Sequence, residues 1–134
     1  MQFKTKFISA ALALAFAGSA FAQDVIKIGH VSPVSGPNSH LGKDMENGAK
    51  MAVEDLAAKG VKIGGKPVKF VVQFEDDGGD PKQGTTAAQK LVDAKVQGVI
   101  GHLNSGTTIP ASKIYFDAGI PQISPAATSP VYTK

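Results

Sequence analysis

The sequence predicts an α/β protein built on a parallel, doubly wound sheet. Three observations lead to this prediction. Strand-like segments rich in Val and Ile alternate with amphipathic helical segments, one strand segment is apolar almost throughout, and turns containing Gly or Pro separate the segments. Strands that alternate with helices pair in parallel through right-handed crossovers. An almost continuously apolar strand belongs in a sheet that is covered on both faces.

The first 22 residues have the pattern of an export signal. Lys4 and Lys6 form a positive segment, an apolar run follows from Phe7 to Ala17, and Ala20-Phe21-Ala22 is a small-x-small cleavage site. The apolar run is shorter than the about 20 residues that a membrane span needs. We therefore expect a mature chain of residues 23–134 that is soluble in a periplasm and is not inserted in a membrane.

Charge and composition exclude several function classes. The 134 residues include 14 Lys, no Arg and 11 acidic residues, for a formal charge of +3; without Lys4 and Lys6 the mature chain has 12 − 11 = +1. A chain without Arg or Trp is a poor candidate for a nucleic-acid binder. The absence of Cys excludes a disulfide, a zinc–thiolate site and a thiol nucleophile. We expect no nucleic-acid partner, no metal and no cofactor.

Four strand segments are predicted in the mature chain, and the last is not followed by a helix. They are Val25–Val31, Val68–Phe74, Val96–Ile100 and Ile120–Ser124. The residues of Ile63–Pro67 read as a turn before the second strand, and Pro121 fits only near the start of the fourth.

Three helices are predicted between these strands. The first has an apolar stripe and ends at Lys59-Gly60, the stripe being Met45, Ala49, Ala52, Val53, Leu56 and Ala57. The second starts at the cap Asp80-Pro81, and its inward residues are Gly84, Ala87, Ala88, Leu91 and Val92. The third opens at Thr108-Ile109-Pro110, with Ala111, Ile114, Tyr115 and Ala118 inward.

The predicted elements leave part of the sheet uncovered. Pro125–Lys134 begins as a loop that should lead to a helix, but no helical pattern follows it. Four parallel strands with three helices would leave an apolar edge or face exposed to water. We therefore expect this sequence to be a fragment of a longer protein.

A phosphate-binding loop is the first candidate chemistry, and the residues do not support it. The segment from Gly36 to Asp44 lies between the first strand and the first helix, where such a loop belongs. Five residues rather than four separate Gly36 from Gly42, and Asp44 replaces the Ser or Thr that would hold magnesium. The charge of Asp44 would also oppose a phosphate.

Hydrolysis is the second candidate chemistry. Ser105 is not in a G-x-S-x-G elbow, and the spacing of His30, His40 and His102 makes none of them its base. His30 and His102 end two strands, so they could be neighbouring hydrogen-bonded imidazoles or a metal pair without a nearby carboxylate. Asp76-Asp77 could hold a ribose or could cap the Gly-Gly turn that follows it.

Capture of a small zwitterion or carboxylate is the third candidate. Three loops rich in hydrogen-bond donors follow strands, where ligands bind in open parallel sheets: Ser32–Gly42, His102–Thr108 and Ser124–Ser129. Ser105 belongs to the segment Asn104–Thr108 that leads into the third helix, and the free N–H groups at the start of a helix attract anions. Ala126 and Ala127 leave their backbone accessible, and Thr128 adds a hydroxyl. The alternative is that these are ordinary capping loops.

Several motifs in one order resemble the leucine/isoleucine/valine-binding proteins of ABC importers, which are type I periplasmic binding proteins. The motifs are Ser35-Gly36-Pro37, Gly42, Glu75-Asp76-Asp77 with Asp80-Pro81, Ile100–Thr108, and Pro125-Ala126-Ala127-Thr128. The resemblance covers the mature chain. It implies part of the first of two lobes, with Rossmann-like βα repeats, and a ligand that is held between the lobes as they close.

The resemblance also implies roles for individual residues. Ser105 would bind the ligand carboxylate by its hydroxyl and its N–H group, and the Ala126 carbonyl would bind the ammonium. Thr128 would contribute its backbone and hydroxyl, next to Ala127. Leu41 stands where members often have an aromatic residue over the ligand. Gly79 and Asn104 stand where some members have a disulfide.

The resulting interpretation is a binding protein and not an enzyme, so we expect no catalytic residues. Its partners would be an amino-acid ligand such as leucine, isoleucine or valine and the membrane permease subunits of an ABC importer. A ligand sensor or an amide- or urea-binding protein of the same fold remains an alternative. A secreted α/β hydrolase that uses Ser105 is an alternative from another class.

Overall fold

The computed structural model describes residues 23–134, so the predicted export signal lies outside the described residues. Five strands form the sheet: β1 (Asp24–Ser32), β2 (Lys62–Ile63), β3 (Lys66–Asp76), β4 (Gly98–Ile100) and β5 (Gln122–Ile123). Three helices and one 3₁₀ turn complete the chain: α1 (Ser39–Ala58), α2 (Pro81–Asp93), α3 (Ser105–Asp117) and the turn Pro130–Thr133.

The sheet has the order β2-β3-β1-β4-β5, with β1 at its centre. β1 pairs in parallel with β3 from Asp24–Val68 to Ser32–Asp76, and it pairs in parallel with β4 on its other side. β4 in turn pairs in parallel with β5. The predicted α/β fold with four parallel strands is therefore confirmed.

Helices lie on both faces of the sheet, as the doubly wound prediction requires. Alternate residues of β1 point to opposite faces. Ser32 Oγ donates a hydrogen bond to the carbonyl oxygen of Gly42 in α1 (2.9 Å), whereas Gly29 faces Leu91 of α2. The core lies on the α2 face, and its buried members are Val31, Ala87, Ala88, Leu91, Val96, Val99, Ala111 and Tyr115.

The predicted helix ends of α1 and α2 are confirmed. Asp80 caps α2, since its side chain accepts a hydrogen bond from Gln83 N (2.8 Å), and Pro81 occupies the first helical position. α1 ends at Ala58, and Gly60 has a φ of +59°, which glycine adopts without steric cost.

The predicted turn at residues 63–67 is part of a hairpin, and its first strand was not predicted. β2 pairs antiparallel with β3, Lys62 opposite Pro67 and Ile63 opposite Lys66. Gly64 and Gly65 both have positive φ values, 57° and 80°, as the tightest two-residue hairpin turns require. A two-residue strand is too short to give an alternating pattern, so only its turn was visible in the sequence.

The third helix begins three residues before the predicted Thr108. α3 starts at Ser105 and places Pro110 inside the helix. Proline at this position removes the hydrogen bond to the carbonyl of Gly106, which is exposed and can bind water instead. Ala118, predicted to point inward, is exposed because it is the C-cap residue.

The apolar stripe of α1 is only partly buried. Ala49 is buried and Met45, Val53 and Leu56 are half-buried, but Ala52 and Ala57 are exposed. Between α1 and the sheet lies an open groove of about 300 Å³, and its walls are almost wholly apolar; they include Ile28, Val53, Leu56, Phe70 and Ile123. Leu56 therefore contributes less burial than the stripe predicts. Within residues 23–134, none of the helices combines the length and hydropathy of a membrane span.

Candidate functional site

Three loops meet at the edge of the sheet where β1, β4 and β5 end. They are the segment from Pro33 into the first turn of α1, the segment 101–104 that leads into α3, and the segment 124–129. The strands are parallel, so their carboxyl ends share this edge, and the loops that follow them are neighbours in space.

The N-terminus of α3 presents unpaired donors at this edge. Asn104 has an extended backbone, and its carbonyl oxygen accepts hydrogen bonds from the N–H groups of Thr107 (3.1 Å) and Thr108 (2.9 Å). The hydroxyls of both threonines donate to the same oxygen. Among the described residues, the N–H groups of Ser105 and Gly106 have no acceptor, so they are available to an anion.

The Ser105 hydroxyl links this helix to the last loop. Its oxygen accepts hydrogen bonds from the N–H groups of Thr128 (3.1 Å) and Ser129 (3.2 Å). Both partners are donors, so the hydroxyl hydrogen of Ser105 is left free to donate to a ligand oxygen. The arrangement therefore gives one hydroxyl and two N–H donors at the positive end of a helix dipole.

The loop 124–129 is attached to the rest of the fold by hydrogen bonds of Ser124, and part of it is exposed to solvent. Ser124 Oγ donates to the carbonyl oxygen of His102 (2.7 Å) and accepts from Ala127 N (3.0 Å). Ala127 is half-buried, whereas Ala126 and Thr128 are exposed. The structure thus brings together four of the five residues predicted for the ligand site: Ser105, Ala126, Ala127 and Thr128.

Leu41 lies apart from this hydrogen-bonded cluster. It belongs to the first turn of α1, beyond the carboxyl end of β1, and its side chain is 44% exposed. The preceding loop is fastened to β3, since Asp76 Oδ1 accepts from the N–H groups of Val34 (2.9 Å) and Ser35 (3.3 Å). Leu41 therefore borders the same edge of the sheet as an exposed apolar side chain.

The two aspartates after β3 cap the Gly-Gly turn, as one of the two interpretations proposed. Asp76 Oδ1 also accepts from Gly78 N (2.8 Å), and Asp77 Oδ1 accepts from Gly79 N (2.9 Å). Partial burial opposes the charge of Asp76, but hydrogen bonds from Ser35, Gly78 and Val34 outweigh it and hold the pKa of this carboxyl below its usual range.

His30 and His102 are both buried and each has its own partners. His30 Nε2 lies 3.2 Å from Ser32 Oγ, and its ring meets that of Phe74 edge-on at 5.5 Å. Within residues 23–134 no three His, Asp or Glu side chains are grouped as ligands for a metal ion. Of the two interpretations left open by the sequence, the geometry favours buried, hydrogen-bonded imidazoles; His102 is bonded through both ring nitrogens and, among the described residues, His30 is bonded through Nε2 alone.

A buried polar chain at His102 was not anticipated. His102 Nδ1 lies 2.7 Å from Asp77 Oδ2, and His102 Nε2 lies 3.2 Å from the hydroxyl of Tyr115. All three side chains are fully buried. The positions of Asp77, His102 and Tyr115 in the sequence do not indicate that these side chains are in contact. The contact arises because β3 and β4 pair with β1 on its two sides, which brings the ends of both strands together.

Gly79 and Asn104 are neighbours, as the resemblance implied. A Cβ atom on Gly79 would lie 3.7 Å from Asn104 Oδ1. With a glycine and an amide at these two positions, the two loops are joined by packing here and by the hydrogen bond between His102 and Asp77.

The sequence profile of the family described as "Periplasmic binding protein" matches residues 25–133. A Leu/Ile/Val-binding protein homolog 1 of Brucella abortus is 45% identical over 98% of this chain and 34% of its own. A leucine-specific-binding protein of Salmonella typhimurium is 48% identical over all of this chain and 36% of its own. The chain spans about a third of the length of these curated relatives.

A solved structure has the same fold. It is the branched-chain amino-acid transporter substrate-binding protein LivJ of Streptococcus pneumoniae in complex with isoleucine, which aligns with a TM-score of 0.75 and 32% identity over 82% of this chain and 31% of that one. The chain belongs to the periplasmic binding protein family, and its α/β fold is that of part of one lobe.

Proposed function

We propose that this chain supplies part of the binding site of a periplasmic solute-binding protein that captures a branched-chain amino acid for an ABC importer. The observation that carries the proposal is the donor cluster at the N-terminus of α3, where the Ser105 hydroxyl and two free N–H groups face the open edge of the sheet. An α-carboxylate has the charge and the two acceptor oxygens that such a cluster binds.

The other proposed ligand contacts come from the loop 124–129 and from the first turn of α1. Ala126 is an exposed residue, and its backbone carbonyl is the proposed acceptor for the ligand ammonium; the Thr128 hydroxyl is a second polar contact. Ala127 supports this loop through its hydrogen bond to Ser124 Oγ. Leu41 supplies apolar surface for the ligand side chain. The relatives named above bind leucine, isoleucine or valine by their names, which supports this ligand class.

Binding by closure of two lobes, and delivery to permease subunits, are the mechanism we propose. Residues 23–134 contribute one wall of the cleft, and ligand atoms on that wall face solvent. A second wall would exclude water and strengthen each polar contact. No chemical change of the ligand is part of this mechanism, and the transport energy would come from the importer.

Isothermal titration of the full-length protein with three ligands tests the proposal. Leucine should bind, leucinamide should bind weakly because it has no carboxylate for Ser105, and 4-methylpentanoate should bind weakly because it has no ammonium for Ala126. Binding of leucinamide or of simple amides in preference to leucine would favour the alternative of an amide-binding protein or sensor.

Periplasmic location rests on the predicted export signal. N-terminal sequencing of the protein recovered from the periplasm should begin at Gln23. Recovery of a chain that begins at Met1 in the membrane fraction would contradict the proposed cleavage.

The hydrolase alternative gains no support from the geometry. Ser105 Oγ accepts from two N–H groups, and His102, three residues away, is turned into the core toward Asp77 and Tyr115. A nucleophilic serine needs a base that accepts its proton. Neither buried histidine hydrogen-bonds to Ser105 in the described residues.

A further inference from the structure

The buried chain Asp77–His102–Tyr115 lies directly beneath the candidate site without reaching it. Each of the three side chains is fully buried, so none of them can touch a ligand on the open edge. The chain joins the end of β3, the segment after β4 and the last turn of α3. Burying polar and charged groups is unfavourable unless they are hydrogen-bonded, so the hydrogen bonds of this chain are needed for its burial.

The proton positions in this chain follow from its partners. The Asp77 carboxylate accepts, so His102 donates from Nδ1 at 2.7 Å. His102 Nε2 is then the acceptor for the Tyr115 hydroxyl at 3.2 Å. Burial raises the pKa of Tyr115, and the charges of Asp77 and Glu75 add to this, so the phenol keeps its proton. The imidazole ring is thereby held in one orientation and one tautomer.

The backbone of His102 transmits this fixed orientation to the site. Its carbonyl oxygen accepts from Ser124 Oγ (2.7 Å), and it lies 3.4 Å from Thr108 Oγ1, whose hydrogen goes to the Asn104 carbonyl at the start of α3. Ser124 Oγ accepts in turn from Ala127 N, and Ser105 Oγ accepts from the N–H groups of Thr128 and Ser129. One residue therefore connects the start of α3 with the loop 124–129.

We infer that His102 is a positioning residue: clamped between Asp77 and Tyr115, it holds the Ser105 donors and the loop 124–129 in their binding arrangement before a ligand arrives. This inference deepens the proposed function and rests on it for the ligand. A site ordered during folding does not lose the entropy of ordering those loops when it binds. His102, Asp77 and Tyr115 therefore affect the affinity through the loops that they hold in place, without contacting the ligand themselves.

Two substitutions of similar size at Asp77 separate a hydrogen-bonding role from a space-filling one. In the full-length protein, Asp77→Asn keeps one oxygen that can accept from His102 Nδ1 but puts an NH2 group where the other oxygen accepts from Gly79 N, whereas Asp77→Leu fills the volume and accepts neither hydrogen bond. We expect Asp77→Leu to weaken leucine binding by about tenfold or more, by analogy with the loss of a residue that orients a metal-binding histidine. Asp77→Asn should recover part of that loss, because it restores the acceptor for His102 but not the one for Gly79. Equal affinity of the two variants would overturn the inference.

Amide hydrogen exchange of the ligand-free protein tests the positioning role without any ligand. Asp77→Leu should speed exchange at Ala127, Thr128 and Ser129, with α2 unaffected. Val96→Ala, a core substitution outside the polar chain, is the matched control and should leave these three amides unchanged. Faster exchange throughout the molecule would reduce Asp77 to a residue needed for stability only, and would overturn the inference.

Tyr115→Phe tests the same inference if Asp77→Leu does not fold. It removes one oxygen, retains the ring, and leaves His102 Nε2 without its partner. Exchange at the three amides should again rise locally, and unchanged exchange would overturn the inference. If exchange rises as expected but no amino acid binds the wild-type protein, the proposed function fails while the clamp stands.

Discussion

The Ser105 hydroxyl shows how one side chain can serve both the fold and a ligand. Its oxygen fixes two backbone N–H groups of the loop 124–129, and its hydrogen remains available. A hydroxyl has one donor and two acceptor positions, so these uses do not compete. Substitution at this position therefore removes a ligand contact and an internal contact together.

Ser105→Ala in the full-length protein should weaken leucine binding by about 1.5–3 kcal/mol, the range for a hydrogen bond to a charged group. Isothermal titration measures the change. Ser112→Ala is the matched control, because Ser112 lies on the same helix and donates only to the Ile109 carbonyl (2.7 Å). Equal affinities for wild type and Ser105→Ala would remove Ser105 from the site.

His30 makes the stability of the fold depend on pH. Ser32 Oγ donates to the Gly42 carbonyl, so His30 donates to Ser32 from Nε2, and its buried Nδ1 is without a partner among the described residues. Burial lowers the pKa of His30 below its ordinary value of 6.5; the charge of Lys50 lowers it as well, and the charges of Glu46 and Asp77 oppose this. The folded protein therefore binds this proton less readily than the unfolded chain.

The free energy of unfolding should consequently decrease as the pH falls below 6.5, because the unfolded state then takes up a proton that the folded state resists. Urea unfolding at about pH 7.5 and about pH 5.5 measures this. His30→Leu, which cannot titrate, should lose less stability over the same interval. A loss as large as that of the wild type would show that other groups cause the pH dependence.

At the scale of elements, the position of α1 depends on a close backbone contact. A Cβ atom on Gly42 would overlap the carbonyl oxygen of Pro33 and lie 2.5 Å from its carbonyl carbon. Both are backbone atoms that cannot rotate away. This contact places the first turn of α1, and Leu41 with it, against the loop that follows β1.

Gly42→Ala should therefore destabilise the fold by roughly 1–3 kcal/mol, the usual cost of overpacking. Gly48→Ala is the control on the same helix: nothing lies within 4 Å of its Cβ position, so alanine should stabilise α1 by about 0.5–1 kcal/mol. Urea unfolding of the two variants gives the comparison. Equal effects of both substitutions would show that the contact with Pro33 does not restrain the helix.

At the scale of the molecule, the candidate site is a surface and not a cavity. Ala126 and Thr128 are exposed, and Leu41 is 44% exposed, so a ligand resting on them would face water on its far side. Hydrogen bonds that compete with solvent contribute little net free energy. A pocket that holds a small molecule tightly normally buries most of its surface.

Purified residues 23–134 should therefore bind leucine with a Kd no tighter than about 1 mM, equivalent to about −4 kcal/mol. Titration followed by chemical-shift changes at Ser105 and Thr128 measures such weak binding and locates it. The full-length protein under the same conditions is the control. Micromolar binding by residues 23–134 would show that one wall of the cleft suffices.

Much of the fold could be predicted because its signals are local. The cap Asp80-Pro81, the glycine stop after α1 and the apolar strands each depend on a few neighbouring residues, and all three were confirmed. The predicted start of α3 was wrong because proline is typical of the first turn of a helix, whereas Pro110 lies in the second turn. It is tolerated there because water can replace the hydrogen bond that the Gly106 carbonyl loses. Leu56 is less buried than its place on the apolar stripe predicts. Such a stripe shows which side of a helix faces the protein, but not whether other residues cover that side.

The sequence alone determined the class of fold and the edge of the sheet at which the loops of the candidate site meet, because parallel βα repeats place their loops at one edge. Only the tertiary structure decided how those loops are held. The clamp of Asp77, His102 and Tyr115 joins residues 25 and 13 positions apart, which only strand pairing and helix packing bring within hydrogen-bond distance. Contacts of this kind depend on the whole sheet, so no local pattern of residues records them.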